Sequence, residues 1–159
     1  MNTDDVIDKG ASPPEPKVVV TKELIRADMV DRFGDRFPQA TLVEMVKDAT
    51  AKILSDKALW ATEGFRGDVT SIQGRVLGVS MSAERNAVVC QVELYPTLPG
   101  SNVIDIMEKA GDEAFELAIA GTVDEKDIEV VEHDGREVRE IRKVELTGVS
   151  FVPQGTKIR

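Results

Sequence analysis

Apolar residues recur at two different spacings along this chain, and the change from one to the other separates its elements. Leu42, Val43, Met45, Val46, Ala49, Ile53 and Leu54 repeat at helical spacing. Thr41 and Glu44 match a Thr-x-x-Glu capping box, in which hydroxyl and carboxylate satisfy the first orphan amides of the helix. A second helix is predicted where Val103, Ile104, Ile106, Met107 and Ala110 line one face, with Ser101 as its cap and Gly111 as its stop. Elsewhere the period is two. Val18 to Ile25 reads as a strand, Lys57 to Ala61 as a short one, and Val69 to Met81 with Ala87 to Tyr95 as an antiparallel hairpin in whose turn Asn86 suits a positive φ. Phe115 to Val123 alternates, with Phe115, Leu117, Ile119 and Gly121 on one face and Glu116, Ala118, Ala120 and Thr122 on the other. Ile128 to Glu132 and Arg136 to Ile141 pair across Asp134-Gly135, a type I′ turn signal, and a last strand runs from about Val144 to Val152.

At 159 residues, with 42% hydrophobic content and 31% charged, the chain is long enough for one core. Aromatic residues make up only 4%, so Val, Ile, Leu, Met and Ala must fill that core, which favours sheet with a few helices. Residues 1 to 16 carry Asp4, Asp5, Asp8, Pro13, Pro14 and Pro16 and too little apolar area to offset their ordering entropy. They are expected to form an arm, either disordered or ordered on a neighbouring subunit, ahead of a single domain at 17–159. No apolar run approaches the roughly 20 residues that cross a bilayer, and the first residues lack the pattern of a signal peptide, so synthesis in the cytoplasm is expected.

Charge and residue counts narrow the chemistry. A net charge of -9 repels phosphate backbones and no Lys/Arg cluster is evident, so no nucleic-acid partner and no membrane partner are expected. One cysteine and one histidine cannot assemble a disulfide or a Cys/His zinc site, and no metal or other cofactor is expected. Cys90 shares a face with Val88, Val92 and Leu94 and reads as a buried small hydrophobe. Asp28, Asp31 and Asp35 do not have calcium-loop spacing and, interleaved with Arg32 and Arg36, read as a charge-paired surface. Glu125 with Asp127, and Glu137 with Glu140, alternate with cations on a solvated hairpin and lack the aromatic platform of a glycosidase.

The run Phe115-Glu-Leu-Ala-Ile-Ala-Gly-Thr-Val123, followed by Val144-Glu-Leu-Thr-Gly-Val-Ser-Phe-Val-Pro153, resembles the C-terminal half of the tailed-phage prohead serine protease family. That family carries a Leu-Ser-Ile-Gly-like strand and then a Val-Glu-Leu-x-x-Val-Ser-Leu-Val-like strand. Ile72-Gln-Gly-Arg-Val76 is similar to the Ile-Gly-Arg-Val run that the family places shortly after its catalytic histidine. The likeness is strongest over 109–153, weaker over 57–79, and hardly covers 1–40. It implies an α+β fold, a small bent antiparallel β-barrel with two or three flanking helices, shared with herpesvirus assemblin, here with an extended N-terminal arm.

The same resemblance puts the family's nucleophilic serine at Ala118 and its histidine within Thr62 to Phe65, best at Glu63. A methyl group cannot attack a carbonyl, and a carboxylate facing alanine has no hydroxyl to activate. His133 reads as an exposed turn residue and would be the third catalytic member only if the barrel folded that turn back toward Ala118. Other serines, Ser71, Ser80, Ser82, Ser101 and Ser150, are available, and Ser150 reads as structural. An engineered Ser→Ala change would explain the missing serine but not the missing histidine, which favours a natural, non-catalytic relative. The leading expectation is therefore a structural protein of a phage head, a decoration or cement protein or a scaffold component, forming homo-oligomers. It would bind the major capsid protein or other head proteins, and reside in the virion after assembly in the host cytoplasm. The alternatives are a maturation endopeptidase with a mutated or unrecognised nucleophile, a tail or connector component, and an unrelated α+β binding module.

Overall fold

Nine strands and two α-helices occur among the described residues of the computed structural model, which are 18–64, 71–96 and 98–155. The strands are β1 (Val18–Arg26), β2 (Asp35–Arg36), β3 (Trp60–Glu63), β4 (Ile72–Ser82), β5 (Ala87–Leu94), β6 (Phe115–Thr122), β7 (Ile128–His133), β8 (Arg136–Ile141) and β9 (Glu145–Pro153). The helices are α1 (Gln39–Leu54) and α2 (Leu98–Ala110). Six strands form one sheet in the order β1-β5-β4-β3-β9-β6, and three form a second in the order β2-β8-β7. The larger sheet curls into a half-barrel until β1 packs near β6, and Lys22 Nζ donates to the Asp112 carbonyl across the opening. The expected arm at 1–16 lies outside the described residues.

Most of the expected elements are present, with three corrections. The helix at 39–54 begins two residues before Thr41, and its N-cap is Pro38, which makes no side-chain cap bond. Thr41 is inside the helix and buried, and its hydroxyl donates to the Ile141 carbonyl at 2.8 Å, so the supposed capping box is a tie between helix and small sheet. Part of the cap comes instead from Asp28, whose Oδ1 accepts from Gln39 N at 3.3 Å, placing a carboxylate at the positive end of the helix. α2 begins at Leu98 rather than at Ser101, because Pro99 in a first turn forfeits only an N–H that has no helical partner. The short strand lies at 60–63 rather than 57–61, and it pairs parallel to β9, an exception to the expected antiparallel barrel. The turns match expectation: Asn86 (φ 48), Asp134 (φ 51) and Gly135 (φ 78) all take the left-handed region, and Gly111 (φ 92) ends α2.

One apolar cluster joins both helices to the half-barrel. Leu42, Met45 and Ala49 of α1 and Val103 and Met107 of α2 pack with Val76, Val92, Leu117, Leu146, Val149 and Phe151. In β1 a bulge between Glu23 and Ile25 sends the consecutive residues Leu24 and Ile25 both inward. Cys90 is fully buried, as expected, and burial pushes its thiol up from 9.0 to about 12.

Charged groups organise the smaller sheet. Glu129 and Glu140 face each other across β7 and β8, a like-charge pair that costs energy unless cations intervene. Arg142 Nη2 contacts both carboxylates, 3.2 Å from Glu140 Oε1, and Arg36 Nη1 lies 2.9 Å from Glu140 Oε2. Arg36 also reaches Asp28 at 3.1 Å, so the expected charge pairing around 28–37 is present. Burial pushes the Asp35 carboxyl above its ordinary range, with Asp31 adding to the shift and Arg139, 2.7 Å away, opposing it.

Two predictions follow from this packing. A Cβ at Gly74 would lie 2.0 Å from the Glu93 carbonyl oxygen, a backbone atom that cannot swing aside. Gly74→Ala should therefore cost about 1–3 kcal/mol, read as a lower urea midpoint at unchanged slope; an unchanged midpoint would show that β4 and β5 can separate freely. For Cys90 the sign is set by the folded state disfavouring the thiolate. Its contribution to stability is complete below pH 9 and is lost as pH rises toward about 12. Native protein at pH 8.5 should resist iodoacetamide for as long as urea-unfolded protein takes to be fully alkylated, and Cys90→Ala should remove part of the alkaline loss of stability.

Candidate functional site

Strand register brings three short side chains into one line. Ala118 of β6 pairs with Ser150 of β9, and Ser150 pairs on its other side with Thr62 of β3. Residues paired across adjacent strands project from the same face, so Ala118, Ser150 and Thr62 form a row across the sheet. The next row on that face is Ala120, Gly148 and Trp60. The other face of the same strands carries Leu117, Val149 and Phe151 into the core. Ala118 and Ser150 are both buried, and the Thr62 and Ser150 hydroxyl oxygens are 3.3 Å apart. Thr62 also donates to the Val149 carbonyl, at 3.5 Å.

Glu63, the expected counterpart of the family histidine, is not in this row. It pairs with Phe151, one register position on, which assigns it to the opposite face of the sheet, and it is exposed at the strand end beside Gly64. Thr62 is the residue of that segment that shares the face of Ala118. Alternation alone places Ala118 on the side opposite Leu117, but only the parallel β3–β9 pairing assigns Thr62 to it, and a parallel pair between strands so distant in sequence leaves no local signal.

His133 is the last residue of β7, in the other sheet, where it pairs with Arg136. Its Nε2 lies 3.4 Å from Asp134 Oδ2, so the carboxyl group it meets is that of its chain neighbour. The chain has one histidine, and among the described residues neither Thr62 nor Ser150 hydrogen-bonds a carboxylate. Of the other candidate serines, Ser71 is buried, Ser82 accepts the amide of Arg85 in the β4–β5 turn, Ser80 is exposed, and the side chain of Ser101 lies outside the described residues. No group of three metal-ligating side chains occurs among the described residues. No described helix is long and apolar enough to cross a membrane.

As it stands, the row is a closed hydroxyl pair beside a methyl group. A serine nucleophile needs an adjacent base, and among the described residues no histidine, lysine or carboxylate is bonded to these hydroxyls.

No protein-family model matches the sequence, and no curated protein matches it. Among solved structures the chain is similar to the capsid assembly protease gp21 of bacteriophage T4. The TM-score is 0.69 at 17% sequence identity, over 87% of this chain and 82% of that one. The fold is therefore prohead-protease-like, an α+β half-barrel with two helices and a second small sheet.

Proposed function

We propose that this protein is a non-catalytic component of a tailed-phage head, a decoration, cement or scaffold protein that uses a protease-derived half-barrel to bind the capsid lattice. The observation that carries this reading is the row Ala118–Ser150–Thr62: the position that the family resemblance gives to a nucleophile holds a methyl group, and the hydroxyls beside it are bonded to each other. The fold shared with a capsid assembly protease supplies the setting. A lattice-binding role needs a stable surface and no reacting group, and the core and charge pairing described above supply stability without one. The major capsid protein is the proposed partner, through shared surface area of about 1,600 Å² or more.

A maturation endopeptidase with an altered nucleophile is the second reading, favoured by the catalytic name of the structural neighbour. The two separate on one set of variants. Wild type and Ala118→Ser are each exposed to a fluorophosphonate serine probe and incubated with the capsid and scaffold proteins of the encoding phage. The structural reading expects no labelling and no cleavage from either, together with full-length copies in purified proheads or heads at a fixed ratio to capsid protein. Cleavage by Ala118→Ser establishes the endopeptidase reading, and absence of the protein from both particle types removes the head assignment.

A further inference from the structure

The three-stranded sheet is joined to the rest of the molecule more by charge than by core. No strand pairing among the described residues links it to the six-stranded sheet, and the segments 123–127 and 142–144 connect it to β6 and β9. No residue of β2 or β7 is buried, and β8 sends only Val138 and Ile141 inward. The turn 31–35, with Phe33 65% exposed at its tip, belongs to the same body. Asp31 Oδ1 closes this turn by accepting from Phe33 N at 2.9 Å and from Asp35 N at 3.0 Å. Arg139 of β8 pins it, donating its amide to the Gly34 carbonyl at 2.8 Å and its Nη2 to the Phe33 carbonyl at 3.3 Å.

The bonds that hold this body shut are of the kind that salt weakens. Glu140 is their centre: its two oxygens meet Arg36 Nη1 at 2.9 Å and Arg142 Nη2 at 3.2 Å, and its side chain is only 16% exposed. Arg36 carries the chain on to Asp28. Asp28 in turn accepts from Gln39 N at the start of α1 and, through its other oxygen, from Asn86 Nδ2 in the β4–β5 turn. The closed arrangement also leaves costs unmet. Arg36 Nε and Asn86 Oδ1 are buried without a hydrogen-bond partner. Burial, with Asp31 adding, disfavours the Asp35 carboxylate although Arg139 stands against it. Opening the body returns these groups to water, breaks the ion pairs and exposes Val138 and Ile141, while Leu117, Leu146 and Phe151 stay packed in the half-barrel.

We infer that β2, β7, β8 and the turn 31–35 form a clasp over the start of α1 that opens as a unit of its own, controlled by ionic strength, while the half-barrel stays folded. A unit with few buried apolar groups opens below the free energy of unfolding the core. Salt screens the exposed Arg142–Glu129 end of the chain most and the half-buried Arg36–Glu140 link least, so Glu140 decides how far the clasp stays shut. Opening also withdraws the Ile141 carbonyl from the Thr41 hydroxyl and so frees the first turn of α1. This goes beyond the proposed function and holds or fails apart from it, because it concerns the chain alone.

The experiment follows hydrogen exchange of the full chain by mass spectrometry near pH 7, in NaCl from about 0.05 M, where the screening length exceeds about 10 Å, to about 1 M, where it is about 3 Å. β8 is the reporter because it is paired on both sides, and β5 and β9, paired on both sides in the larger sheet, are the reference. At low salt β8 is expected to be less protected than β5 and β9. At high salt it should exchange at least about threefold faster while the reference strands do not change. Glu140→Gln, which removes both bonds at the centre of the chain, should speed exchange of β8 at low salt by at least about tenfold and abolish most of its response to salt. Arg142→Gln, which cuts the more exposed end, should act in the same direction and by less. Glu44→Gln, which removes an exposed pair with Lys47 on α1, should change neither sheet. Equal protection of the two sheets, a β8 that responds neither to salt nor to Glu140→Gln, an equal effect from Glu44→Gln, or loss of protection from β5 and β9 together with β8 overturns the inference.

Discussion

The placement of β9 between β3 and β6 is the constraint on which the rest of this fold depends. β9 runs parallel to one neighbour and antiparallel to the other, and the backbones approach too closely for a side chain at two points. A Cβ on Gly148 would lie 2.7 Å from the Trp60 carbonyl oxygen, and one on Gly121 would lie 2.5 Å from that of Glu145. Because β9 is interior, residues of both its faces are buried: Val149 and Phe151 in the core, Ser150 and Val152 on the other side. Helix α1 is then tied to the start of this strand. Lys52 donates to Glu145 at 2.8 Å and to the Leu146 carbonyl at 3.3 Å, and the Glu145 bond, with Asp48 adding, holds its ammonium above the ordinary range.

The second sheet is held by a different kind of force. Its strands bury few apolar groups besides Val138 and Ile141, and a two-residue strand such as β2 cannot stand alone. What fixes it is a chain of ion pairs, Asp28–Arg36–Glu140–Arg142–Glu129, with Asp35–Arg139 beside it and Thr41 bridging to Ile141. Any single exposed pair contributes well under about 1 kcal/mol, but a network shares its ordering cost among several bonds. It also sets the turn that carries Phe33.

Local patterns in the sequence revealed local structure and no more. The apolar spacing of Leu42, Met45 and Ala49 identified α1 because the three side chains share one helical face, and Asp134-Gly135 identified its turn because only such residues enter the left-handed region at low cost. Thr41 misled for a physical reason: a hydroxyl near a helix start caps equally well in sequence whether or not its real acceptor is a carbonyl 100 residues away. Glu63 shows a related limit. The family pattern locates a segment, whereas the face on which a residue projects depends on register, and a shift of one position reverses it. Here that register is set by β3 pairing with β9, strands almost ninety residues apart.

Satisfaction and reactivity compete for the same atoms in the row Ala118–Ser150–Thr62. A buried hydroxyl without a partner costs about 1–3 kcal/mol, so the folded chain gains by giving Ser150 a partner, and Thr62 is that partner at 3.3 Å. A nucleophilic serine requires the opposite arrangement, a hydroxyl whose partner is a base and whose bond is made to be broken. With alanine at 118 that position of β6 carries no hydroxyl to ask for such a base, and threonine at 62 offers none. Each residue in the row is consistent with the other two as structure. An oxygen added at 118 by Ala118→Ser would therefore meet Ser150 as its strand neighbour, and among the described residues no histidine or carboxylate is bonded to the hydroxyls of that row to take its proton.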